Sequence, residues 1–307
     1  VTVTGVDDVT VDGTQTSTVT VSIIDAISDN DFDAVADQTV SATTTDDDTA
    51  GFTVTQSGGS TSVDESGTTD TFTVILNAQP TSNVVLTITS SDTGEATVNS
   101  PLTFTAANWN TPQTVTVTGV NDGSVVDGNQ TSTVTVSIDD NNSNNSFDPL
   151  ADQTVSVTTT DNDIPGFTVA ESSGSTSVNE SGTTDTFTVV LNAQPTSDVL
   201  LSLAASDATE ASVTSSLTFT PANWDTAQTA TVTGLDESTV DGNQTSTITI
   251  SIVDAVSNDS FDPVADQTVS VSTVDNDTAG FTVVQTSGST SVSESGNSDT
   301  FTIVLNA

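Results

Sequence analysis

Residues 62–90 read SVDESGTTDTFTVILNAQPTSNVVLTITS, and this stretch decides the fold. Phe72, Val74 and Leu76 fall on every second position, and so do Val84, Leu86 and Ile88 after the Asn77–Asn83 break. A period of two puts alternate side chains on one face of a strand, so the stretch predicts two short strands joined by a turn. The same spacing marks Phe52 and Val54, Leu102 and Phe104, Val115 and Val117, Val134, Val136 and Ile138, and Val155 and Val157. Thr114, Thr116, Thr118, Thr133 and Thr135 take the alternate positions. A β-branched hydroxyl suits the wet face of a strand. No helix is read. Seven to nine short strands with turn residues between them predict an antiparallel two-sheet β-sandwich of Ig-like type. Phe52, Phe72, Phe104, Trp109 and Phe147 are its large core fillers.

The opening stretch returns at 177–205 as SVNESGTTDTFTVVLNAQPTSDVLLSLAA. Gly51-Phe52-Thr53-Val54 returns at 166–169 and again at 280–283, LTFTAANW (102–109) returns as LTFTPANW (217–224), and VDGNQTSTVTVSI (126–138) returns as VDGNQTSTITISI (240–252). The period is the size of a whole sandwich and too long for a solenoid repeat. Residues 51–165 and 166–279 read as complete repeats. Residues 1–50 read as the C-terminal part of a repeat and 280–307 as the N-terminal part of a further one. The expected setting is the interior of a longer, secreted tandem array with neighbouring repeats in one extended chain.

The chain carries 42 acidic residues and no Lys, Arg or His, a formal charge of −42. Such acidity is also a mark of disorder, but disordered acidic tails lack the strict alternation seen here. No side-chain ion pair can form, so self-repulsion opposes the compact state unless external cations screen or bind it. Phosphate backbones and anionic membrane surfaces are excluded as natural partners. Divalent cations and basic surfaces are favoured. Cys is absent, so there are no disulfides or thiolate sites. No apolar run approaches membrane-spanning length. Catalysis is poorly provided for, since His, Cys, Lys, Arg and Tyr are all missing. Paired carboxylates could serve glycoside chemistry, yet near-identical active sites in every repeat make little sense. The chain reads as a non-enzyme.

Acids kept between the copies fall in turns and at strand ends. They are Glu65, Glu180 and Glu294; Asp92 and Asp207; Glu95 and Glu210; Asp122 and Glu237; Asp127 and Asp241; and the closing pairs Asp46 with Asp48, Asp161 with Asp163, and Asp275 with Asp277. The SVxESG opening, the FTVxLNAQP strand, the LTFTxANW strand, TVTG and the acidic TxDxD terminus together resemble the Calx-beta domain, in its tandem bacterial surface-protein form. That family also occurs in sodium–calcium exchangers. The resemblance implies Ca2+ at one end of each sandwich, near the junction between domains. Its ligands would be Glu65, Asp92, Asp122 or Asp127, and Asp161 with Asp163. In the next repeat they would be Glu180, Asp207, Glu237 or Asp241, and Asp275 with Asp277. Asp46, Asp48 and Glu294 hold the matching positions in the partial repeats. Calcium takes six to eight oxygens, and carboxylates from several loops suit it. Asn121, Asn162 and Asn276 dilute the acidic runs, which points to the extracellular-module range of about 10⁻⁴–10⁻³ M. The competing reading makes these acids solvated turn residues.

Asp29, Asp31 and Asp33 form a further acidic loop, which reads Asp140, Asn142, Asn144 and Asp148 in the next copy. It lacks the Gly and Glu of an EF-hand loop, so it reads as a loop or a weak cation site. Phe147 and Phe261 beside it read as core plugs. Trp109 and Trp224 read as packing rather than sugar platforms. Asn-x-Ser/Thr triplets at Asn129, Asn243, Asn258 and Asn276 are weak signs of glycosylation in so Ser/Thr-rich a chain. The leading expectation is a structural or adhesive stalk or filament segment at the cell surface, stiffened by calcium, self-associating into fibres or holding a host or cell-surface ligand. The alternatives are a calcium-sensing module and a carbohydrate- or ice-binding face built on Thr ladders.

Overall fold

Strand Thr69–Leu76 lies at the centre of one sheet in the computed structural model, with Phe72 and Val74 fully buried. The structure describes residues 1–306. On one side it pairs antiparallel with Phe52–Gln56 and on the other with Gln113–Gly119, which in turn pairs with Ala96–Val98. The facing sheet has five strands in the order Leu102–Phe104, Val84–Ser90, Gln130–Ile138, Gln153–Thr160 and Thr61–Asp64. The last pairing is parallel, so the first strand of this sheet lies beside the last, and Asp64 is level with Thr160. Nine strands in two sheets make the sandwich that the alternation predicts. The alternate residues Val84, Leu86, Val134, Val136, Val155 and Val157 bury against Phe72, Val74 and Phe104 between the sheets. The Thr positions face outward, as with Thr114 opposite Thr73 and Thr116 opposite Thr71.

A second sandwich repeats this topology. Its four-stranded sheet runs Phe167–Glu171, Thr184–Leu191, Gln228–Gly234 and Ala211–Val213. Its five-stranded sheet runs Thr176–Asn179, Gln267–Val274, Gln244–Ile252, Val199–Ala205 and Ser216–Phe219. Helical structure among the described residues is confined to three-residue 3-10 turns. Two compact units result. One takes in Val1–Asp122 and Asn129–Asn162, the other Gly123–Gly128 and Asp163–Ala307. Besides the short strand Thr10–Val11, the partial repeats supply two-stranded pieces, Gln15–Val21 with Gln38–Thr44 and Phe281–Gln285 with Phe301–Leu305. Val40 and Phe281 stay exposed there, whereas their counterparts Val155 and Phe52 are buried.

In the two complete repeats the loop that looks like an EF-hand start is held by an amide, whereas in residues 1–50 the matching Asp29 carboxylate accepts from Asp31 N–H. Asn258 is buried, its Nδ2 donates to Thr196 Oγ1 at 2.6 Å and to Ser197 Oγ at 3.3 Å, and its Oδ1 accepts from Ser260 N–H at 3.0 Å. Asn144 makes the same bonds in the first sandwich. The 3-10 turn Asp259–Phe261 that follows drops Phe261 into the core, fully buried. Asn258→Ala removes a buried amide with its three hydrogen bonds and should cost about 1–3 kcal/mol by denaturant unfolding. A cost within error of zero would show that the loop is held some other way.

Candidate metal centre

Strand Thr176–Asn179 and strand Gln267–Val274 run parallel and end level, with Asn179 opposite Val274. The next residues, Glu180 and Asp275, therefore leave the sheet side by side. Asn179 Oδ1 accepts from Ser181 N–H and its N–H donates to Thr183 Oγ1, which folds a tight turn completed by Gly182 at φ +87°. That turn sends Glu180 inward, where it is 1% exposed. One carboxylate oxygen, Oε2, accepts from Asn276 N–H at 2.9 Å. The other, Oε1, is buried without a hydrogen-bond partner.

Three further acids converge there. Glu210, 5% exposed, precedes strand Ala211–Val213, and its carbonyl accepts from Leu235 N–H. Glu237 and Asp241 come from the loop after strand Gln228–Gly234. Glu180, Glu210, Glu237 and Asp241 each offer an oxygen within 4.8 Å of the others, and Glu180, Asp275 and Asp277 form a second such set. Oxygens around a single Ca2+ at about 2.4 Å lie no more than about 4.8 Å apart, so either set can share an ion. Without one, two charges at this spacing repel by about 1 kcal/mol in water and several times that at a protein-like dielectric. Burial, reinforced by the charges of Asp241, Glu180, Asp207 and Glu237, raises the pKa of Glu210. Burial and the charges of Asp275, Asp236 and Glu237 do the same to Asp277.

The first sandwich repeats the frame. Glu65 follows strand Thr61–Asp64, is 1% exposed, and accepts from Asn162 N–H through Oε2. Burial pushes its carboxyl up to about 7 against the pull of the Asn162 N–H, helped by the charges of Asp122, Asp161 and Glu95. Asp127 and Asp163 lie in segments that belong to the second unit. Asp92 and Asp207 join no cluster. Each turns back on its own loop, Asp92 accepting from Gly94 N–H and Asp207 from Thr209 N–H and Oγ1. Glu95 and Glu210, three residues on, are the buried acids of that loop. The repeats show both pairs of acids, but only the fold reveals which one turns inward. Asp46 accepts from Asp12, Gly13 and Asp48 N–H groups, which lower its pKa, while burial and the charges of neighbouring acids raise that of Asp48. Glu294 is exposed and belongs to no such cluster.

A carboxyl pKa raised on folding means that the folded state binds the proton more readily. Stability of the cation-free protein is then lost as pH rises from about 4.5 through about 7. We expect the chelated chain to melt higher at pH 5.5 than at pH 8. The gain in melting temperature on adding calcium should be larger at pH 8, because the proton competes with the ion. Equal calcium gains at both pH values would show that Glu65 takes no part.

The architecture defines a chain of tandem all-β sandwiches with buried acidic clusters at strand ends. Neither a protein-family model nor a curated protein matches the sequence. Solved structures do match. The apo-form Calx CBD1 domain is 16% identical, covering 36% of this chain and 98% of that one at TM-score 0.27. CBD12 from CALX1.2 is 9% identical, covering 71% and 99% at TM-score 0.27. Domains 4 and 5 of the S-layer protein SbsC are 19% identical, covering 62% and 76% at TM-score 0.28. At such identities and TM-scores these likenesses carry no weight for what this chain binds or does.

Proposed function

We propose that the chain is a segment of an extracellular structural or adhesive array whose sandwiches bind calcium through these strand-end clusters. One observation carries the reading. Glu180 holds a buried carboxylate oxygen with no hydrogen-bond partner, among three other acids, in a chain with no Lys, Arg or His to neutralise it. A buried carboxylate is normally paired, bound to metal or neutralised by a proton, and with no basic side chain in the chain an external cation is the partner left for its charged form. Repetition supports the structural half of the reading. Near-identical sandwiches suit a load-bearing or spacing role, whereas a sensor needs few sites coupled to an effector.

Calorimetric titration of calcium into the full chain at fixed ionic strength tests the site. Wild type should bind with a dissociation constant near the extracellular-module range of about 10⁻⁴–10⁻³ M. Glu180→Gln should lose the sites of the second sandwich. Heat of binding unchanged by Glu180→Gln would overturn the assignment. Antibodies against residues 51–279 should label intact cells of the source organism, and labelling only after lysis would overturn the surface setting.

A further inference from the structure

The sandwiches share a small feature at a different edge. In each, the segment Ala-Gln-Pro after the central strand forms a two-residue parallel pairing with a strand from the Val-Asp-Gly loop of the preceding repeat. Thr10–Val11 pairs with Gln79–Pro80, and Val125–Val126 pairs with Gln194–Pro195. The backbone bonds repeat too. Gln79 N–H donates to Val9 O at 2.8 Å, and Gln194 N–H donates to Ser124 O at 2.6 Å. The receiving Gln is itself anchored, its Nε2 donating to Ala106 O in one case and Pro221 O in the other. The incoming Val is buried, Val11 at 9% and Val126 at 4% exposure, and Val126 belongs to the core cluster of the sandwich that receives it.

A third copy of the loop, Thr239-Val240-Asp241-Gly242, has the same Val-Asp-Gly sequence. It pairs with no strand among the described residues, and Val240 is 44% exposed. An aliphatic side chain kept at a position that is buried in two of three copies calls for a partner like theirs. We propose that the Val-Asp-Gly loop is a docking strand that closes the Ala-Gln-Pro edge of the next repeat, and that Val240–Gly242 is a free one whose occupant is the Gln-Pro edge of a further copy. The pairing itself is made by backbone bonds and one buried Val, and the next residue along the loop, Asp127 or Asp241, belongs to an acidic cluster.

Hydrogen exchange with mass spectrometry tests this in two chains. In the full chain, Val126→Ser removes the apolar anchor without touching a carboxylate. Gln194 N–H should then exchange at least about tenfold faster, while Val189 in the central strand keeps its protection; one buried aliphatic group is worth that factor. In the full chain extended after Ala307 by the sequence of residues 79–165, a third Gln-Pro edge exists. The 239–242 segment should exchange at least about tenfold more slowly there than in the unextended chain, and Val240→Ser should erase the slowing. Unchanged exchange at Gln194 in Val126→Ser would overturn the inference. So would unchanged exchange at 239–242 in an extended chain whose Phe281–Gln285 strand has become protected.

Discussion

Gly234→Ala should unfold the second sandwich or destabilise it by more than about 3 kcal/mol, and with it abolish that sandwich's response to calcium. A Cβ at Gly234 would sit 2.1 Å from the carbonyl oxygen of Asn179 and 2.7 Å from its carbon. Neither atom can swing aside as the end of a flexible side chain could. Asn179 closes the parallel strand Thr176–Asn179, and Glu180 is the next residue. The close approach of the two backbones therefore both packs the sheets and places the central carboxylate. Gly119 meets Asp64 in the same way in the first sandwich, at 2.0 Å, one residue before Glu65. Gly242→Ala offers the contrast. Its positive φ of +75° strains an alanine, but no atom lies within 4 Å, so its cost should be about 1 kcal/mol. Equal small costs at Gly234 and Gly242 would show that the strand ends can separate, and the account of how Glu180 is positioned would fail.

Calcium should raise the melting temperature of the full chain by many degrees over excess chelator, at constant ionic strength. An ion that binds only the folded state at a hundred times its dissociation constant adds about 2.7 kcal/mol per site. In a domain of this size each kcal/mol moves the midpoint by about 3–6 °C. Sodium at equal ionic strength screens the charge of −42 but cannot bring six to eight oxygens together, so it should recover only a small part of the gain. Glu180→Gln should remove the calcium increment from one transition while slightly raising the chelated midpoint, because it deletes a buried charge. Equal midpoints in calcium and sodium would reduce the clusters to a salt-screened surface.

Much of this was legible in the residues. Alternation at Phe72, Val74 and Leu76 and at Val134 and Val136 identified the buried faces, since a period of two leaves no other assignment. The closing acids Asp275 and Asp277 and the turn acid Glu180 were legible because they recur at strand ends. Asp207 and Glu210 show where reading stops. Both recur, both sit in one loop, and the difference between a turn cap and a buried acid is set by three-dimensional packing that spacing does not encode. The docking strand was not legible at all. Two residues make no period, and Thr10 meets Gln79 across 69 positions of chain. The role of Asn258 was not legible either. Its loop has the look of a cation site, yet its amide is consumed by Thr196 and Ser197.

The parallel strands that begin and end each five-stranded sheet also set the order of events in folding. Asn276 reaches Glu180 across 96 residues, so the cluster does not exist until the last strand of the repeat has docked. A contact of such sequence separation forms late and slows folding. Calcium then has no partly built site to seed. It should leave the rate of folding almost unchanged and act by slowing unfolding, as interactions absent from the transition state do. A chain kept where calcium is scarce would thus lose the brake on unfolding while retaining its route to the native state, and would acquire lasting structure only on reaching a calcium-rich medium.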